Sequence, residues 1–296
     1  MPVAGLTYGL ELEWADTLRS LAIPKALGSW NLHEDTIVNS DGTSNDQMGD
    51  RGGKGGEINT VPSESKDRQV EIARSLIALF TDAGCPPTVN YKCAMHVHVG
   101  YLGIQDDLDR MKSLMKYVSD YQVELLWSTF KLSEPKVQNY ESIEDYKFAV
   151  EYFRKYTVPY RAHFYHPEVV SRALSSESPE EFFDVIRPIE DEFDETDRSY
   201  INLSSIEKNG TVEFRQFSST SDPDQIRDAI DWCSAFVQEA LGEARNPIEF
   251  MAEQYYNFPD QKYIDAKLER SYREDYLLNA TGEHADRLRA REGKWR

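Results

Sequence analysis

Three short stretches of the chain place ionisable groups two residues apart: Glu11 and Glu13 in GLELEW, His96 and His98 in MHVHVG, and Glu213 and Arg215 in TVEFRQF. A β-strand has a side-chain period of two, so within each stretch these groups share a face, while Leu12, Val97 and Phe214 point the other way. A lone Glu-x-Glu reads first as the solvated side of a half-buried strand. Three such pairs carrying Glu, His and Arg rather than Thr and Lys are a candidate site.

Carboxylates that converge need a cation, since two unit charges 4 Å apart repel by about 4 kcal/mol at an effective dielectric near 20. Glu oxygens with imidazole favour Mg²⁺ or Mn²⁺. Zinc is disfavoured because Cys85, Cys93 and Cys233 form no CxxC pair. In a chain with 52 acidic and 33 basic residues, Arg51, Lys54, Arg198 and Arg215 stand out as partners for a phosphate-bearing ligand, with ATP the economical expectation. Arg51 and Lys54 lie among Gly49, Gly52, Gly53, Gly55 and Gly56, but the P-loop spacing is not met.

Elements must hold these groups in place. Residues 5–14 alternate as a strand, and a Ser, Asp, Asn and Gly-rich stretch from Asn39 to Gly56 reads as a mobile loop before a strand at Glu57–Val61. Val70, Ile72, Ala73, Leu76, Ile77 and Phe80 recur at helical spacing, predicting a helix over Ser65–Ala83 closed by Gly84. A strand at Val89–Tyr101 and an amphipathic helix from Asp106 to Phe130 follow, with further helices expected near 142–155 and 179–193. Tyr200–Ser204 and Thr211–Ser218 read as strands joined by an Asn209-Gly210 hairpin turn, and Asp222-Pro223 opens a helix through Leu241. The expectation is an α+β chain forming one domain over 1–296, with a helical insertion at about 133–197 and a charged helical tail at about 245–296.

The net charge of −19 should repel nucleic acid backbones and anionic membranes from the surface as a whole. A nucleic acid acceptor is therefore not favoured, although a local basic groove could coexist with an acidic surface. No run of 18 apolar residues and no leader pattern occurs, so a membrane partner is not expected, and the sparse cysteines fit a reducing cytoplasmic setting.

In order, the chain presents GLELE, the DGT of Asp41–Thr43, GGEINTVP, MHVHVG, RSYINLSS and GTVEFRQFSST. From Tyr8 to about Thr220 this series resembles the amidoligase family, a branch of the glutamine synthetase-like carboxylate-amine ligases. The resemblance implies a curved, mainly antiparallel sheet whose concave face holds ATP and divalent cations, with helices on the convex side. It implies Glu11, Glu13, Glu57, His96 and Glu213 as metal ligands, and His98 and Arg215 as nucleotide or phosphate contacts. Arg198 and Asn202 fall at a position facing the phosphoryl group or substrate, and Asp41 in a loop over the substrate. The stretch Glu57-Ile58-Asn59-Thr60-Val61-Pro62 is one residue longer before the proline than the family usually shows, which bears on local register.

The implied chemistry is amide formation from a small-molecule or peptide carboxylate and an amine. The carboxylate attacks the γ-phosphate of ATP, and the amine then displaces phosphate from the acyl phosphate, with Arg215, Arg198 and Glu213 at the transferring group. The segment holding Arg161 and Tyr140, Tyr146, Tyr152, Tyr156, Tyr160 and Tyr165 is expected either to shape the acceptor pocket or to pack as aromatic core. Two alternatives stand beside the ligase: a phosphotransferase on the same fold, as in guanidino kinases, and a nucleotide- or metal-binding protein without turnover. A metal hydrolase is also considered, but HExxH is absent.

Overall fold

The computed structural model describes residues 5–18, 20–31, 54–89, 93–119, 147, 165, 167–187 and 201–242. Its centre is a six-stranded sheet in which every pairing is antiparallel. The strands are β1 (Leu6–Leu18), β2 (Gly28–Trp30), β3 (Lys54–Thr60), β4 (Ala94–Tyr101), β5 (Ile201–Asn202) and β6 (Thr211–Ser218), in the spatial order β2-β3-β1-β4-β6-β5. The first strand is central because Leu6, Tyr8, Leu10 and Leu12 alternate on one face, all of them buried. Its other neighbours on that face are Ile58 from β3 and Val97 and Val99 from β4.

Two helices cover the apolar face. The first, α1 (Lys66–Asp82), is capped by the Ser65 hydroxyl accepting from the Arg68 N–H and sinks Val70, Ala73, Leu76 and Phe80 into the core. Gly84, at φ 75°, lies just beyond its end. The last helix, α6 (Pro223–Ala240), starts as its Asp-Pro pair predicts, with the Asp222 carboxylate accepting from the Asp224 N–H at 2.9 Å. It packs Trp232 and Phe236 edge-on against Phe214 at 5.8 and 5.3 Å. Between them, α2 (residues 108–119) buries Met111, Leu114, Met115 and Val118, and α3 (Pro167–Ser175) pairs with α4 (Pro179–Ile186).

Gln69 ties α1 to the sheet. Fully buried, it donates from Nε2 to the Tyr8 and Val61 carbonyls at 2.7 and 2.8 Å and accepts from the Thr60 hydroxyl at 2.9 Å. The end of β3 is thereby fixed against β1.

The Asn209-Gly210 hairpin is corrected. A two-residue turn there would pair Lys208 with Thr211, whereas Asn202 pairs with Glu213 and Ile201 with Phe214. The intervening chain forms a short helix, α5 (Ser205–Asn209), which buries Ile206 completely. Gly210 retains its left-handed role, at φ 67°, but as the cap of that helix. Boundaries also move: β1 continues to Leu18, the next strand begins at Lys54 rather than Glu57, and β4 begins at Ala94 rather than Val89. The helix α3 was not expected. Of the helix expected near 142–155 only Lys147 is described, and it is helical; the rest of that stretch, most of the Asn39–Gly56 loop and the 245–296 tail lie outside the described residues.

Candidate active site

Residues that pair across an antiparallel ladder project to the same side, so the register shows which groups meet. Glu11 pairs with both Asn59 and His96, Glu13 with Glu57, and His98 with both Gly9 and Glu213. Glu213 in turn pairs with Asn202. Glu11, Glu13, Glu57, His96, His98, Asn202 and Glu213 thus lie on one face, opposite the core of Leu10, Leu12, Val97 and Phe214.

The groups are in contact. His96 Nδ1 lies 2.6 Å from Glu11 Oε2 and 3.4 Å from Glu213 Oε1. His98 Nε2 lies 3.1 Å from Glu11 Oε1, while its Nδ1 is 3.0 Å from the Thr211 hydroxyl, itself 3.1 Å from that of Ser205. A neutral His98 ring serves both contacts with Nε2–H donating to Glu11 and Nδ1 accepting from the Thr211 hydroxyl; with a metal ion at Nε2, Nδ1–H would instead donate to Thr211. Asn202 Nδ2 donates to Glu213 Oε2 at 2.7 Å, and the Arg215 guanidinium pairs with Glu213 Oε1.

These contacts set the ionisation. Burial by itself raises the Glu11 carboxyl, but the hydrogen bonds and charges of His96 and His98 outweigh it and hold Glu11 well below the usual carboxylate range. Burial likewise opposes ionisation of Glu213. The charges of Arg215, His96 and His98 prevail over both that and the repulsion from Glu11, and Glu213 is also lowered. Both carboxylates are anionic at neutral pH although Glu213 is only 5% exposed.

A donor atom from each of Glu11, His98 and Glu213 lies within 4.8 Å of the others, a set able to hold a metal ion. The division expected between His96 as ligand and His98 as nucleotide contact is not visible in this geometry, because both rings touch Glu11. Glu13 and Glu57 form a separate buried pair compensated differently: Glu13 Oε2 accepts from the Ala94 N–H at 2.6 Å and Glu57 Oε1 from Asn31 Nδ2 at 2.5 Å.

Lys54 is the first residue of β3, its backbone paired with Leu18. Asp41, Arg51, Arg161 and Arg198 lie outside the described residues. Thr211, Ser205 and Asn31 support the site and went unnoticed in the sequence, although Thr211, two residues before Glu213, was legible from the same period of two.

Gln216 was hidden by a register shift. Val97 pairs with Phe214 but Met95 with Phe217, so β6 spends two residues, Arg215 and Gln216, opposite the single His96. Counting by twos from Glu213 puts Arg215 on the site face. Ser218 pairs with Ala94, which lies two residues from His96, and counting back from Ser218 puts Gln216 there as well.

No curated protein matches the chain. A family model described as putative amidoligase enzyme matches residues 7–237, a span that includes five strands whole, all of β1 but Leu6, and every residue of the cluster. The chain belongs to this amidoligase family.

Proposed function

We propose that the protein is an ATP-dependent carboxylate-amine ligase, built on a glutamine synthetase-like sheet, that forms an amide through an acyl phosphate. The observation that carries this reading is the partly buried cluster of Glu11, Glu213, His96, His98 and Arg215 on one sheet face of a member of a ligase family. Two ionised carboxylates and an imidazole nitrogen within reach of one another suit a hard divalent cation, Mg²⁺ or Mn²⁺. Such an ion, when bound, neutralises charge on phosphoryl oxygens.

Phosphoryl transfer needs positioning and charge neutralisation more than covalent help, and the residues divide along those lines. Glu11, His98 and Glu213 hold the ion, with His96, Glu13 and Glu57 beside them on the same sheet face. Asn202 fixes the Glu213 carboxylate through its 2.7 Å hydrogen bond, and Thr211 fixes the His98 ring. Arg215, a planar donor beside Glu213, meets the oxygens of the transferred phosphoryl group. Arg198, Arg51 and Lys54 are further phosphate contacts, and Asp41 and Arg161 contribute to the acceptor side. The substrate carboxylate attacks the γ-phosphorus and ADP leaves; the amine then attacks the acyl carbon and orthophosphate leaves.

ADP release with Mg²⁺ and ATP, measured against a matrix of carboxylates and amines, tests this reading. Amine-dependent ADP with amide and orthophosphate is the expected result. A stable phosphorylated product would make the protein a phosphotransferase, and nucleotide binding without ADP would make it a binding protein. Glu213→Gln should abolish amine-dependent ADP formation while leaving the circular dichroism spectrum unchanged; full activity in that variant removes Glu213 from the site.

A further inference from the structure

Gln216 is 4% exposed, and neither atom of its carboxamide has a hydrogen-bond partner among the described residues. A buried amide with both atoms unpaired is disfavoured, and most such groups in folded proteins are satisfied. Here the bulge of β6 carries it to the site face, adjacent in sequence to Arg215 and opposite His96. A strand without the bulge would have turned residue 216 toward Trp232 and Phe236, and the core keeps its own register because Phe214 and Phe217 both remain buried. The extra residue changes the site face alone.

We infer that Gln216 is a second phosphate-reading side chain of this site, its Nε2 donating to an oxygen of the terminal phosphoryl group beside the Arg215 guanidinium. A phosphoryl group with its ordered water serves both orphaned atoms, since a phosphate oxygen accepts from Nε2 and the water donates to Oε1. A carboxamide adds a donor without adding charge. That matters where Glu11 and Glu213 already lie close together and Arg215 is engaged with Glu213. The inference rests on the ATP-dependent reading above.

The test is calorimetric titration of the full chain and of Gln216→Leu with Mg²⁺·AMP-PNP, Mg²⁺·ADP and Mn²⁺ alone. Loss of one hydrogen bond to a charged group predicts AMP-PNP binding weakened about tenfold or more, with ADP and Mn²⁺ affinities within about twofold of the parent. Leucine removes an unpaired amide at similar volume, so the melting temperature should be unchanged or raised. Should Gln216→Leu not fold, Gln216→Met carries the same comparison. Unchanged AMP-PNP affinity overturns the inference and leaves Gln216 a structural residue. Equal weakening of AMP-PNP and ADP, or weakened Mn²⁺ binding without nucleotide, also overturns it, by moving the contact away from the terminal phosphate. If the parent chain binds neither nucleotide, the ATP-dependent reading itself fails, an outcome distinct from failure at Gln216 alone.

Discussion

Glu213 and Phe214 are neighbours in sequence and occupy opposite worlds. Phe214 is sealed between Trp232 and Phe236, surrounded by hydrocarbon; Glu213 is almost as buried but touches His96, Asn202 and Arg215. Equal burial is achieved by two kinds of compensation, dispersion and hydrophobic transfer on one face, ion pairing and hydrogen bonding on the other. The first fixes the fold. The second holds charge in a place where water is scarce, where electrostatic interactions are stronger than in water.

Substitutions on the two faces should separate these roles. Phe214→Ala should cost about 3–5 kcal/mol, read as a lowered urea midpoint, because it opens a cavity beside the Trp232 and Phe236 rings. Glu213→Gln should spare most of that stability and remove activity; if both variants lost stability equally, the two faces would not differ in kind. Gln69→Leu comes next, at about 1–3 kcal/mol, since it removes both Nε2 hydrogen bonds, to the Tyr8 carbonyl, which keeps the Ser63 N–H, and to the Val61 carbonyl. It is a polar lesion in an apolar layer, and a negligible shift would show that α1 is held by packing alone.

Thr211→Val is the counterpart on the site face. It preserves strand shape but removes the hydroxyl that orients His98, so Mn²⁺ affinity should fall about 10- to 100-fold with little change in melting temperature. The smallest effect concerns Glu239 on α6, whose Oε2 is enclosed with no partner among the described residues and whose carboxyl is pushed by burial up to about 7. The folded chain then retains a proton that the unfolded chain releases near 4.5, so this group makes stability fall as pH rises from about 4.5 to 7. Glu239→Gln should flatten that part of the pH-stability profile, and an unaltered profile would assign the slope elsewhere.

Much of this arrangement is legible in the sequence because its signals are local. The helix α1 shows its cap, its periodic Val70, Ala73, Leu76 and Phe80, and its terminal glycine within twenty consecutive residues. Strand period alone puts Glu11 beside Glu13 and His96 beside His98. What escapes is set by a partner far along the chain. The turn at Asn209-Gly210 carries a hairpin signal, yet the pairing of Asn202 with Glu213 demands a longer connection, and the burial of Ile206 folds that connection into a helix. The phase of Gln216 is likewise invisible until β4 is laid beside β6, since no residue type marks the bulge. The different charge environments of Glu11 and Glu13 also depend on β4, which offers the first an imidazole and the second a backbone N–H.

The central position of β1 bears on the order in which the protein assembles. Glu11 reaches His96 across 85 residues of sequence, and Glu213 joins them only when the last strand docks on β4. Pairings of such separation form late, because the entropy of closing long loops is lost before the contacts are gained. No fragment that stops short of β6 contains the full cluster. Binding of the proposed ion would therefore report finished folding: in a refolding experiment its signal should follow the burial of Trp14 and Trp232 rather than precede it. A bound ion would then draw the equilibrium toward the completed sheet by mass action.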